Sequence, residues 1–127
     1  MAFLVGHWQL LGHGMFVVEE RVTGAFAGRV GPLQPKGWPG LEIAWALTPA
    51  ARGNGYAVEA AGAAIAWTFD HLEPQRIISI IDPRNSASAR VAERVGEVRT
   101  AELFAPFGEP CDIWELGRED WAKRRAP

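Results

Sequence analysis

A chain of 127 residues that is 48% hydrophobic and 22% charged suits one domain, residues 1–127, with its own core, and is too apolar for a disordered tail. A formal charge of −2, with both signs interspersed, gives no general electrostatic case for a nucleic-acid or anionic-membrane partner. Cys111 is the only cysteine, so there is no internal disulfide; it has no metal-ligand company nearby, which predicts no metal site and a reducing, cytoplasmic compartment.

The opening stretch MAFLVGHWQLLG is apolar but lacks a basic n-region and a small-residue cleavage site. No apolar run approaches the ~18 residues of a membrane-spanning helix. HGMFVVEE (13–20) and VTGAFAGRVG (22–31) read as a hairpin turning near Thr23-Gly24, and PLQPKGWPG (32–40), with its prolines and glycines, reads as a loop that ends the ladder. GLEIAWAL (40–47) alternates as a strand: Leu41, Ile43, Trp45 and Leu47 share one face, and Glu42 is the lone charge on the other, beside Ala44 and Ala46.

From Gly55 to about Leu72 the period changes, with Ala57, Ala60, Ala61, Ala64, Ile65 and Phe69 forming one helical stripe. RIISIID (76–82) is a buried strand, Ser86 to Val95 a helix closed by Gly96, and the order strand, helix, strand implies a parallel crossover unit. Residues 97–104 and 111–116 flank the turn PFGEP as an antiparallel pair, and REDWAKRR (118–125) is a short amphipathic helix. The expected class is a mixed α/β sheet covered by helices.

The stretch PAARGNGYAVEAA (49–61) places glycines where a strand gives way to a helix. Free N–H groups at a helix start, with the positive end of its dipole, favour an anion, so Arg52-Gly53-Asn54-Gly55-Tyr56-Ala57 is built like a phosphate cradle. An ordinary glycine-rich turn accounts for the pattern equally well.

R-G-N-G-Y-A at 52–57 resembles the cofactor motif Q/R-x-x-G-x-G/A of the GCN5-related N-acetyltransferase (GNAT) family, and N-S-A-S-A-R-V-A-E-R-V-G at 85–96 resembles its N-x-x-S-x-x-x-x-E-x-x-G signature, especially in the ribosomal-protein N-terminal acetyltransferase branch. The resemblance covers roughly residues 13–121 and implies a mostly antiparallel sheet around a central β-α-β unit. It implies acetyl-coenzyme A as acetyl donor, with the pyrophosphate on the backbone of Gly53, Asn54, Gly55, Tyr56 and Ala57 and charge from Arg52. It further implies the pantetheine arm along Trp45, Ala46 and Leu47, with Asn85 reaching it from the other side. The family normally starts with a strand and two helices before the hairpin; about a dozen residues precede it here, so those elements are expected to be missing and the uncovered sheet edge to be compensated by a homodimer or a strand exchange.

The implied chemistry moves an acetyl group from a thioester to a primary amine. Ser88 matches the branch's serine as proton donor, Tyr56 offers a second hydroxyl, the Leu47 N–H would polarise the carbonyl, and Glu42 could hold a water that takes the amine proton. Competing readings remain: Ser86 and Ser88 as helix caps, Glu42 as a solvent-facing or arginine-paired carboxylate, Glu59 and Glu93 in salt bridges, and His7 and His13 at the surface. Trp8, Trp38 and Trp45 could line an acceptor pocket, although core packing suits Trp45 better. A non-catalytic acyl-coenzyme A binding or interaction domain is the alternative to an enzyme.

Overall fold

The computed structural model describes residues 2–125. In chain order the elements are α1 (Ala2–Leu11), β1 (Phe16–Glu19), β2 (Phe26–Leu33), β3 (Glu42–Leu47), a 3-10 turn (Pro49–Ala51), α2 (Tyr56–His71), β4 (Arg76–Ile81), α3 (Ser86–Val95), β5 (Val98–Phe104), β6 (Cys111–Gly117) and α4 (Arg118–Arg125). The strands form one sheet in the order β1-β2-β3-β4-β6-β5, antiparallel at every junction except β3–β4. That parallel junction is the expected crossover through α2.

The alanine-rich stripe makes the architecture possible. Ala61, Ala64, Ile65 and Phe69 of α2 are buried against Val30, Ile43 and Ile77 of the sheet, and α3 and α4 add Val95 and Trp121 to the same core. Small residues let the helix axis approach the sheet, while each fully buried Ile or Phe contributes about 1.5–3 kcal/mol. Among the described residues no helix is long and apolar enough to cross a membrane.

Three expectations change. β2 runs through Pro32 and Leu33, which pair with Ile43 and Glu42, although the prolines were expected to end the ladder. β1 begins only at Phe16, opposite Val30, so Pro32 lies where no strand on that side needs its missing N–H. No element was assigned before residue 13, yet Ala2–Leu11 is helical. His7 and His13 are buried rather than exposed: Nδ1 of His7 donates to the His13 carbonyl at 2.7 Å, and its Nε2 accepts from the Gln34 N–H at 2.9 Å.

Candidate active site

β3 and β4 share one registered pair, Glu42 with Ile78, beside the 2.9 Å bond from the Ile78 N–H to the Leu41 carbonyl; β2–β3 and β4–β6 hold six pairs each. A regular parallel ladder would next join the Ile80 N–H to the Ile43 carbonyl. Instead the Ile80 N–H donates to Oε2 of Glu42 at 3.1 Å, and the Ile43 carbonyl accepts from Oγ of Ser79 at 2.8 Å. The strands therefore part with these two groups re-bonded, each of which, left buried and unpaired, would cost about 1–3 kcal/mol.

The wall of this opening is set by β2–β3 register. The Thr48 N–H donates to the Ala27 carbonyl at 2.8 Å, which marks Gly28–Leu47 as a pair that exchanges no hydrogen bonds directly. By alternation, the backbone groups of Ile43, Trp45 and Leu47 turn away from β2 toward the opening. Ala46, expected on the same edge, is the correction: it sits opposite Arg29 with its backbone in the β2 ladder. The cleft between the strands holds about 210 Å³ and is lined by Glu42, Trp45, Ser79, Asn85 and Ser88 among others.

Beyond Leu47 the glycine loop takes over. Gly53 and Gly55 have φ of 82° and 76°, and a Cβ at either would meet nothing within 4 Å. Conformation, not crowding, demands glycine here, because this left-handed region costs other residues about 1–2 kcal/mol. Asn54 holds the loop from within, its Nδ2 donating to the carbonyls of Ala51 (3.2 Å) and Arg52 (3.3 Å). A groove of about 310 Å³ joins this loop and Ala57 to α3 and gathers Arg52, Arg90 and Arg94. The last two were missed in the sequence; their four-residue spacing on one helix face was the available signal.

The structure sorts the expected chemical groups. Asn85 caps α3, its Oδ1 accepting the Ser88 N–H at 3.1 Å, so Ser86 is not the cap. Ser88 lines the cleft. Tyr56 does not: its hydroxyl donates to Oε2 of Glu20 at 3.1 Å, and that bond raises its pKa above the ordinary phenol value. Glu42 is neither solvent-facing nor paired with arginine. It is buried, Oε1 accepts from Nε1 of Trp38 at 2.9 Å, and burial raises its pKa against the opposing pull of the Trp38 and Ile80 bonds. Each of its oxygens accepts one N–H donor, so the carboxylate bridges Trp38 and the Ile80 backbone across the gap where a ladder bond is missing. Trp45 packs into the core, and Trp38 stacks edge-on to Phe104 at 5.3 Å.

Ser79 and Glu97 were also missed. Both are buried, and Oγ of Ser79 lies 2.8 Å from Oε1 of Glu97. A serine inside an isoleucine run and a glutamate just after a helix were the only marks they left in the sequence.

Residues 2–98 match the Acetyltransferase (GNAT) domain family, and the chain belongs to it. Among relatives, YkkB of Bacillus subtilis (strain 168) is 32% identical over 106 residues, which are 82% of this chain but 61% of that protein. The chain thus spans less than two thirds of that relative's length. The acetyltransferase from Agrobacterium tumefaciens str. C58 shares the fold at a TM-score of 0.83 and 29% identity, over 92% of this chain and 68% of that one. Spermidine N-acetyltransferase from Vibrio cholerae, solved with CoA and spermine, shares it at a TM-score of 0.78 and 17% identity, over 95% of this chain and 75% of that one.

Proposed function

We propose that this chain is an acetyl-coenzyme A dependent N-acetyltransferase that acylates a primary amine, either a protein N-terminus, as in the ribosomal-protein branch, or a small amine. The observation that carries the reading is the stabilised opening between β3 and β4, which runs along the outward backbone of Trp45 and Leu47 toward the glycine loop. An extended amide-bearing arm fits such an edge as an added strand would. Arg52, Arg90 and Arg94 beside Gly53 and Gly55 suit the phosphates at its far end.

In the reaction a C–N bond forms between the amine and the acetyl carbon, and the C–S bond breaks. The amine gives up a proton and the departing thiolate takes one. The Leu47 N–H, turned toward the cleft, stabilises the oxyanion, and Ser88 supplies the thiolate's proton. Glu42 keeps the cleft open, and the amine proton passes to solvent water. The reading also includes one domain across residues 1–127, a cytoplasmic setting in keeping with the lone free Cys111, no nucleic-acid or membrane partner, and a homodimer formed through the β1 edge.

Calorimetric titration of the 127-residue chain with acetyl-coenzyme A tests the donor site, alongside Gly55→Asp. Saturable binding by the wild type, lost when the carboxylate faces the phosphates, is the expected result, and an amine panel then identifies the acceptor. A folded wild type that binds nothing would overturn the reading; binding without turnover on any amine would leave a non-catalytic acyl-coenzyme A binding domain.

A further inference from the structure

Glu97 immediately follows α3 and its C-cap, is 3% exposed, and has no part in the acetyl-transfer steps above. Its N–H donates to the Ala92 carbonyl at 2.9 Å, which fixes it against α3. Its side chain points into the sheet, where Oε1 lies 2.8 Å from Oγ of Ser79 and that oxygen lies 2.8 Å from the Ile43 carbonyl. One hydroxyl proton shared between two acceptors makes two bent, weak bonds; the serine hydroxyl carries one proton and the carbonyl none, so two full hydrogen bonds at these distances take the second proton from the carboxyl group.

We infer that Glu97 is a protonated carboxylic acid whose O–H donates to Ser79, leaving the serine hydroxyl to donate to Ile43 and latch the β3–β4 cleft at its open setting. Glu97 is thereby a positioning residue for the acyl-donor cleft, an assignment that rests on reading the cleft as that site.

The surroundings agree. Burial pushes the Glu97 carboxyl up to about 8, the neighbouring Glu42 carboxylate pushes the same way, and the Ser79 bond opposes them. From β3 the facing group is Glu42, both of whose oxygens accept from N–H donors and so suit the ionised form. From β4 it is Ser79, and from β6 the residue opposite Ser79 is the uncharged Trp114. Among the described residues no Lys, Arg or His forms a salt bridge with Glu97. Once the proton leaves, the carboxylate claims the only proton Ser79 has, and Ile43 loses its donor. The latch that Ser79 forms with Ile43 is then released.

Carbon NMR of the full chain labelled in the glutamate carboxyls and backbone carbonyls, with Glu97 and Ile43 assigned through bonds, reads the latch directly. At pH 7 the Glu97 carboxyl should resonate as the neutral acid and titrate with a midpoint near 8, and the Ile43 carbonyl shift should move with the same midpoint. An ionised Glu97 at pH 7, or an Ile43 signal that stays flat through the titration, would overturn the inference; neither reading requires a variant to fold.

The link to the cleft is read by acetyl-coenzyme A titration at pH 7 and pH 9. The wild-type Kd should rise about tenfold between them, while Glu97→Gln, whose amide still donates to Ser79, should show a ratio near one. An equal rise in both proteins would break the link. No binding by the wild type at any pH, with a neutral Glu97 resonance, would sink the acyl-donor reading and leave the protonated latch standing.

Discussion

At Gly53 and Gly55 the sequence could be read for conformation because the residue type itself carries the signal: left-handed φ values of 82° and 76° are signatures of glycine. The start of α3 was legible but its cap was expected at Ser86 or Ser88, whereas Asn85, one residue earlier than Ser86, holds it. Tyr56, Glu42 and Glu97 were not legible, because a side chain's partner depends on what the fold brings opposite it. Glu20 lies 36 residues from Tyr56, and Ile80 lies 38 from Glu42. The roles assigned to the site residues separate kinetically. Ser88→Ala should lower kcat by roughly 100-fold with little change in acetyl-coenzyme A affinity, as loss of a proton donor does. Glu42→Gln, which weakens the bridge from Trp38 to Ile80, should instead raise the KM for acetyl-coenzyme A, and steady-state kinetics on the identified amine distinguishes the two.

Glu97 also makes stability depend on pH. Unfolded, it loses its proton near 4.5; folded, it holds it to about 8. The stabilisation is therefore present in full below the unfolded value and lost as pH rises through that window, at up to ~1.4 kcal/mol per pH unit. Urea unfolding at pH 5 and pH 8 should show the wild type weakening, and Glu97→Gln should flatten the slope; a wild type equally stable at both would contradict the assignment.

Among the elements, α2, α3 and the β5–β6 pair were readable because their signals are periodic or are bounded by caps and turns. α1 was not assigned, since its apolar residues surround the helix and show no single stripe. Pro32 misled in the other direction: a proline is costly in a ladder only where its N–H would be used, and that depends on how far the neighbouring strand extends. The cap of α3 gives a direct test. Asn85→Ala removes the acceptor for the Ser88 N–H and should cost about 1 kcal/mol in denaturant unfolding. Because Asn85 also lines the cleft, acetyl-coenzyme A affinity should fall with it.

For the whole molecule, the sheet order leaves β1 and β5 as edges. Val17 on β1 is 65% exposed and Val22 just beyond it 91%, an apolar rim beside unpaired backbone. Sedimentation velocity should therefore report a dimer that Val17→Lys dissociates, and a wild type monomeric at all concentrations would exclude the pairing. The sequence by itself determined the mixed α/β class, the crossover unit and the glycine loop, because propensity, periodicity and left-handed backbone are properties of residues near one another in the chain. Tertiary structure alone decided that β3 and β4 part after one pair, that Glu42 and Ser79 satisfy the groups this frees, and that Glu97 lies beneath them. Those contacts join residues 18 to 38 positions apart, and only the burial and register of the assembled sheet select their partners.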